Sequence, residues 1–369
     1  MRFVPTNSLQ EGMISGKRLI GKNNELLLNY GSVIRSSYIG KLKYLGYVGI
    51  YIDDELSNDI EVTDIINDSL RYKSIKAIKD VFNEIKSESQ DISKESKEII
   101  CNMVSEILDG VLLNKNLMVN MIDLKVFDDY TYFHSVNVGT LSMLVGASMG
   151  LSKNQLYNLG LASMLHDIGK VFVPKEIIQK PGKLTVEEFD IIKTHSYKGY
   201  MYLKEKFKIP TICNVAVLDH HEKFNGSGYP NSRTGDEISL FGKIIAITDV
   251  YDSLTSERPY KKAGTPSEAI EYIMGNSHSH FDINISKAFL QKIAPYPNGT
   301  TVLLSNSAIG IVVENYPDSC LRPKVRIIKH GKEDVTPYDL DLRSNLSVTI
   351  INMANEEALS SMLNDTPII

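Results

Sequence analysis

Cysteine is scarce in this chain, with three in 369 residues: Cys101, Cys213 and Cys320. They lie far apart and form no Cys-x-x-Cys pair, so neither a disulfide framework nor a cysteine zinc site is indicated. Long apolar runs are missing as well, and nothing approaches the ~18 residues of a membrane span. Met1 leads straight into Arg2-Phe3-Val4-Pro5, without the apolar core of a signal peptide. A cytoplasmic location with no membrane partner is therefore expected. Excess basic charge is absent too. A net charge of −5 argues against a nucleic acid polymer as partner. What remains is an ordinary globular composition, 43% hydrophobic and 23% charged, with length for two or three domains and a sizeable core.

Histidine, by contrast, is concentrated. Five of the eight lie between residues 134 and 221: His134, His166, His195 and the doublet His220-His221. His166 and Asp167 are adjacent at the end of an apolar helical run, so an imidazole and a carboxylate stand side by side and can reach one cation. Asp249 follows on a later helix. Each histidine alone would be a satisfied or exposed polar residue. As a set, their type and number point to a metal site.

Taken in order, residues 1–60 read as a small α+β module. Two apolar runs, 15–20 and 25–28, flank a Gly-Lys-Asn-Asn turn as a hairpin; a short helix over 36–45 and a strand over 47–52 follow. Residues 61–116 read as a helical linker, with Ile65, Leu70, Ile75, Ile78, Val81 and Ile85 at broadly helical spacing. The polar run 84–97 suggests a solvated connector; a dimerising helix, making a homodimer, is the alternative. Residues 117–295 are mostly helical. Ser152 and Thr185 are N-caps, the latter with Glu188 in a capping-box pattern. Each candidate metal ligand falls on a different helix or helix end, as in a bundle core. Asp249 and Asp252, at i and i+3, share a face. Residues 296–369 form a small β-rich appendage, with strands near 301–304, 309–313, 325–328 and 347–351 and a helical or frayed tail. The fold class is mainly α, a helical bundle with a small α+β module before it and a small β-rich part after it.

The motif series is specific. His166-Asp167-Ile168-Gly169-Lys170, His220-His221-Glu222, Gly226-Ser227-Gly228-Tyr229-Pro230 and the run from Asp249 to Tyr260 occur in order, with Lys180-Pro181-Gly182-Lys183 between. Over residues 125–290 the chain resembles the HD-GYP family of phosphodiesterases. That resemblance implies an HD-type helical bundle and hydrolysis of a cyclic dinucleotide second messenger, usually cyclic di-GMP, with a mixed cyclic GMP–AMP as the alternative substrate. It places metal ligands at His134, His166, Asp167, His195, His220, His221 and Asp249. It places the family's lysine at Lys170 and its substrate contacts at Asp252, Arg258 and Lys261.

Phosphodiester hydrolysis needs a nucleophile at neutral pH and charge to hold the phosphoryl oxygens, and two metals sharing a deprotonated water supply both. Asp167 is the natural bridge, with His134, His166 and Asp249 on one metal and His195, His220 and His221 on the other. The nitrogen and oxygen set suits two divalent ions, iron or manganese first. Lys170 would stabilise a phosphoryl or leaving 3′-oxygen, Arg258 would fork a phosphate or guanine edge, and Tyr229 would pack or stack on substrate. Some relatives carry a Glu one turn before the first His and hold a third metal. Tyr130 stands there in this chain, so two metals are expected. Asn225 replaces the acidic residue that usually precedes the Gly-x-Gly-Tyr-Pro loop. A non-catalytic receptor for the dinucleotide is the competing reading, and retention of all seven ligands with Lys170 weighs against it.

Overall fold

A computed structural model describes residues 1–21, 25–86, 91–115, 117–118, 130–180, 182–256, 264–331 and 333–353. Among them, residues 1–64 with 118 and 293–353 form one unit, and 65–117 with 130–292 form another.

The first unit opens with β1 (Arg2–Pro5), β2 (Ile14–Ser15), β3 (Leu19–Ile20), β4 (Leu26–Leu28), α1 (Ser36–Tyr44) and β5 (Gly49–Asp53). Strands β1 and β2 flank β5 in an antiparallel sheet. Strands β3 and β4 pair with Leu19 opposite Leu28; residues 22–24 of their turn lie outside the described residues. The unit closes with β6 (Thr301–Leu304), β7 (Ala308–Glu314), β8 (Lys324–His330), β9 (Glu333–Asp341) and β10 (Ile350–Met353), a sheet in the order β10-β6-β7-β8-β9. Strand β9 was not among the expected ones. Its sequence is acidic, mostly exposed and contains Pro337, and only an edge position tolerates proline without losing a ladder bond. The amide of Phe3 donates to the carbonyl of Gly299 at 2.9 Å, and Arg326 pairs with Asp59 (2.6 Å) and Asp339 (2.9 Å). The two ends of the chain therefore fold together rather than as separate accessories. Of the tail expected over 353–369, residues 354–369 lie outside the described residues.

The second unit is helical: α2 (Asp68–Lys86), α3 (Lys94–Leu113), α4 (Tyr130–Ser148), α5 (Lys153–Met164), α6 (Lys175–Ile178), α7 (Val186–Tyr202), α8 (Thr211–Asp219), α9 (Leu240–Thr255), α10 (Pro266–Gly275) and α11 (Ile283–Leu290). Ser152 and Thr185 cap α5 and α7 in capping boxes with Gln155 and Glu188, as their spacing requires. The 61–116 stretch, expected as a helical linker, is helical over α2 and α3, and its apolar positions are buried. Ile78, Val81 and Ile85 on α2, with Ile100, Val104 and Ile107 on α3, are at most 1% exposed. Each such burial contributes about 2 kcal/mol, which makes these helices part of the core. The end of α2 is tied to the start of α3, where Glu84 accepts from the amide of Ser93 (2.9 Å) and the hydroxyl of Ser96 (2.5 Å); residues 87–90 lie outside the described residues.

Helices α4 and α9 are the inner posts of the bundle. Val136, Val138, Leu141 and Leu144 on α4 and Ile244, Ile245 and Ile247 on α9 are fully buried, and a helix apolar on nearly every side belongs inside. No described helix is long and apolar enough to cross a membrane.

Candidate metal centre

All seven expected metal ligands converge in the helical unit. His134 stands in the second turn of α4 and Asp249 on α9; His166 and Asp167 follow the end of α5; His195 is on α7; His220 and His221 end α8. Asp167, His195, His220 and His221 each offer an atom within 4.8 Å of the others, and so do His134, His166 and Asp167. Asp167 belongs to both groups. Its Oδ1 is 3.5 Å from His195 Nε2, and its Oδ2 is 3.4 Å from His166 Nε2 and 3.8 Å from His134 Nε2. Asp249 joins from the other side, Oδ1 at 3.1 Å from His134 Nε2 and Oδ2 at 3.9 Å from His221 Nδ1.

The backbone orients the rings. His166, His195 and His220 each place Nδ1 at 2.6–2.7 Å from the carbonyl three residues earlier, of Ser163, Ile192 and Val217. A carbonyl only accepts, so Nδ1 carries the proton and Nε2 presents a lone pair to the cluster. Two consequences follow. His195 Nε2 and His220 Nε2 face each other at 3.2 Å, an arrangement of lone pairs that needs positive charge between them. His166 Nε2 and Asp167 Oδ1 are buried with no hydrogen-bond partner, which is costly unless something binds them. The residues present fit divalent cations.

Charge is distributed unevenly. Burial pushes His195 down to about 4 and His221 to about 3, and holds His220 well below the usual range, so these rings are neutral at pH 7. Burial also disfavours charge on His134, but the carboxylates of Asp249 and Asp252 outweigh it and raise that ring to about 9. Burial opposes ionisation of Asp167 and Asp249 as well. Lys170 and His166 beside the first, and His134 beside the second, nevertheless hold both well below the ordinary carboxylate range.

Asp252 requires a correction. Expected among the substrate contacts, it is 1% exposed. Its Oδ2 accepts from His134 Nδ1 at 2.6 Å, and its Oδ1 accepts from Asn137 Nδ2 at 2.9 Å. Both oxygens are thus turned to α4, and Asp252 orients His134 rather than facing solvent. Asn137 went unremarked in the sequence, although its place three residues after His134 was the available signal.

Lys170 lies with Nζ 2.5 Å from Asp167 Oδ2 and its side chain one-third exposed. Gly169 lets that turn meet α7: a Cβ there would lie 1.9 Å from the carbonyl oxygen of His195. Tyr229 covers the open side of His221, ring centroids 4.7 Å apart and 32° between planes, and its amide donates to the His221 carbonyl at 3.1 Å. Glu222 secures this loop, accepting from the amides of Asn231 (2.7 Å) and Arg233 (3.0 Å). Buried Asp219 pairs with the guanidinium of Arg233 at 2.8 Å. Neither acid had been singled out for that task. Asn225 accepts from the amide and hydroxyl of Ser227, so the loop keeps its turn without the usual acidic residue. Arg258 and Lys261 and the side chain of Tyr130 lie outside the described residues.

A helical bundle with a buried histidine cluster around one shared carboxylate defines a class of domain that could hold metal ions. Residues 116–285 match the family model described as HD domain, and residues 301–362 match a KOW domain associated with HD domain. The first of these segments, under half of the chain, is what is similar to the HD domain family. The chain is 37% identical over 234 residues to "Cyclic di-GMP phosphodiesterase PA4108" of Pseudomonas aeruginosa, covering 63% of this chain and 56% of that protein. It is 37% identical over 165 residues to "Cyclic di-GMP phosphodiesterase" of Thermotoga maritima, 44% of this chain and 45% of the other. A third relative, "3'3'-cGAMP-specific phosphodiesterase 2" of Vibrio cholerae, is 37% identical over 143 residues, 38% of this chain and 27% of that one. The chain spans about half the length, or less, of these relatives.

Proposed function

We propose that this chain is a metal-dependent phosphodiesterase that hydrolyses a cyclic dinucleotide, cyclic di-GMP first. The observation that carries the reading is Asp167, one carboxylate shared by two groups of ligands. His134, His166 and Asp249 would hold one divalent cation and His195, His220 and His221 a second, iron or manganese by donor type. Two such cations supply the charge that polarises a phosphodiester and readies water for in-line attack.

The chain's own residues do the rest. The three main-chain carbonyls behind His166, His195 and His220 keep the donor atoms aimed inward. Lys170, paired to Asp167 yet one-third exposed, carries the ammonium for a phosphoryl oxygen or the leaving 3′-oxygen. Tyr229 shields His221 and offers a ring edge to the substrate, while Arg258 and Lys261 take a phosphate or base edge. Residues 117–295 are the catalytic part, working in the cytoplasm, with 1–60 and 296–369 accessory to it. The names of the Pseudomonas and Thermotoga relatives favour cyclic di-GMP. The Vibrio relative, at the same 37% identity over a shorter span, supports a second reading, the mixed cyclic GMP–AMP.

The test is chromatography over time with manganese-loaded full chain, offered each dinucleotide separately, beside His166→Ala. Cleavage of cyclic di-GMP by the unaltered chain alone is expected. No product from either protein with either substrate would leave the non-catalytic receptor standing in its place.

A further inference from the structure

We propose that Arg71 is a positioning residue for the metal centre, acting from α2 through Asn137 and Asp252 on His134. Arg71 lies outside residues 116–285, the segment matched to the HD domain family. Its guanidinium donates from Nη1 to Asn137 Oδ1 at 3.1 Å, and its Cζ lies 5.9 Å from the ring centroid of Phe133. Asn137 Nδ2 donates to Asp252 Oδ1 at 2.9 Å, and Asp252 Oδ2 faces His134 Nδ1 at 2.6 Å. Four side chains on α2, α4 and α9 thus form one unbroken line of hydrogen bonds ending at a candidate metal ligand.

The direction of that line is fixed at both ends, because the guanidinium only donates and the carboxylate of Asp252 only accepts. An arginine can only donate, whereas a primary amide can present either its oxygen or its nitrogen. With the guanidinium on one side, the oxygen of Asn137 must turn to it and the nitrogen must turn to Asp252. Asp252 then accepts from Asn137 with one oxygen and keeps the other for His134 Nδ1–H. That in turn directs the His134 Nε2 lone pair at the cluster. Without Arg71 the amide keeps its nitrogen on the carboxylate but loses the donor that anchors its oxygen, so Asn137 no longer holds Asp252 from a fixed place and the grip of Asp252 on His134 slackens. Partners behind a metal-binding histidine typically change metal affinity by about 10–100-fold when removed, and Arg71, one bond further out, belongs at the low end.

This inference rests on reading the cluster as a metal centre, so its test reads metal affinity and not turnover. Manganese(II) binding to the full metal-free chain is measured by chelator competition for the unaltered protein, Arg71→Met, Arg71→Lys, Asp252→Asn and the Arg71→Met/Asp252→Asn double variant. Methionine keeps an apolar stem near Phe133 and removes the donor; lysine keeps a donor. Arg71→Met is expected to bind about tenfold more weakly with the thermal midpoint of the metal-free chain unchanged, and Arg71→Lys to bind as the unaltered chain does. In the Asp252→Asn background the methionine substitution should cost nothing further, because the route is already cut. Equal affinity in Arg71→Met, losses that multiply in the double variant, or a loss that tracks a lowered midpoint and is not restored by lysine would each overturn the proposal. If the unaltered chain failed to bind manganese at all, the metal-centre reading would fall, and this inference with it.

Discussion

Loading the centre should expel a proton from His134. In the metal-free chain this ring sits between two carboxylates, Asp249 Oδ1 at 3.1 Å from Nε2 and Asp252 Oδ2 at 2.6 Å from Nδ1, and its pKa is raised to about 9. At pH 7, two units lower, such a group is about 99% protonated. A cation can use Nε2 only after that proton leaves, so binding should release about one proton per chain from this residue. His195 and His221, held at about 4 and about 3, release none. Affinity should therefore climb about tenfold per pH unit from 7 to 9 and flatten above. The assay is titration calorimetry with manganese(II) in buffers of different ionisation enthalpy, which counts protons directly. Water taken into the centre could also lose a proton, and Asp252→Asn separates the two sources. Removing one carboxylate should lower the His134 break by roughly one to three units, whereas a break belonging to water would stay near its place. Affinity flat between pH 7 and 9, with no proton released, would refute the claim that His134 is cationic in the metal-free chain.

Three further outcomes follow from the same geometry. Gly169→Ala puts a methyl group 1.9 Å from the His195 carbonyl oxygen; overpacking of this kind costs about 1–3 kcal/mol, so a lowered denaturant midpoint and weakened metal binding are expected, and an unchanged midpoint would contradict the close approach of that turn to α7. In the metal-free chain, His195 refuses a proton until about pH 4 while the unfolded chain accepts one below about 6.5; stability should fall on acidification between those values, by about 3 kcal/mol from this ring, and rise of stability in that window by urea titration would be the wrong sign. His134 acts oppositely, since its contribution is complete below about 6.5 and is lost as pH rises through about 9. Finally, the His195–His220–His221 group loads without proton release and the His134 group with it, so manganese binding at pH 6.5 should split into two phases that draw together towards pH 9; two phases equally spaced at both values would argue against this division.

The seven candidate ligands were legible because their chemistry is local. An imidazole beside a carboxylate, a histidine doublet and an aspartate one helix later are unusual enough to be read without knowing what touches what. The supports were not legible, because each depends on which helix lies opposite. Asp252 shares a face with Asp249, and that much follows from a spacing of three. Whether it turns to substrate or to His134 is decided by the packing of α4 on α9, which spacing does not contain. Asn137 and Asp219 looked like ordinary helix polars for the same reason. The charged residues 84–97 obscure the apolar stripe on either side of them, which the structure buries as Ile78 and Val81 on α2 and Ile100, Val104 and Ile107 on α3.

The burial of α2 bears on the site itself. If 61–116 were only a linker between domains, nothing on it could shape the candidate ligand set. Ile78, Val81 and Ile85 are instead locked into the core, and the same helix presents Arg71 to Asn137 at 3.1 Å. A residue held by one buried face has little freedom to withdraw its other face. The rigidity that hydrophobic burial gives α2 is what makes a hydrogen bond at its start useful for holding His134. A helix outside the family-matched segment thereby joins the candidate metal centre on physical grounds, through contacts and not through any motif.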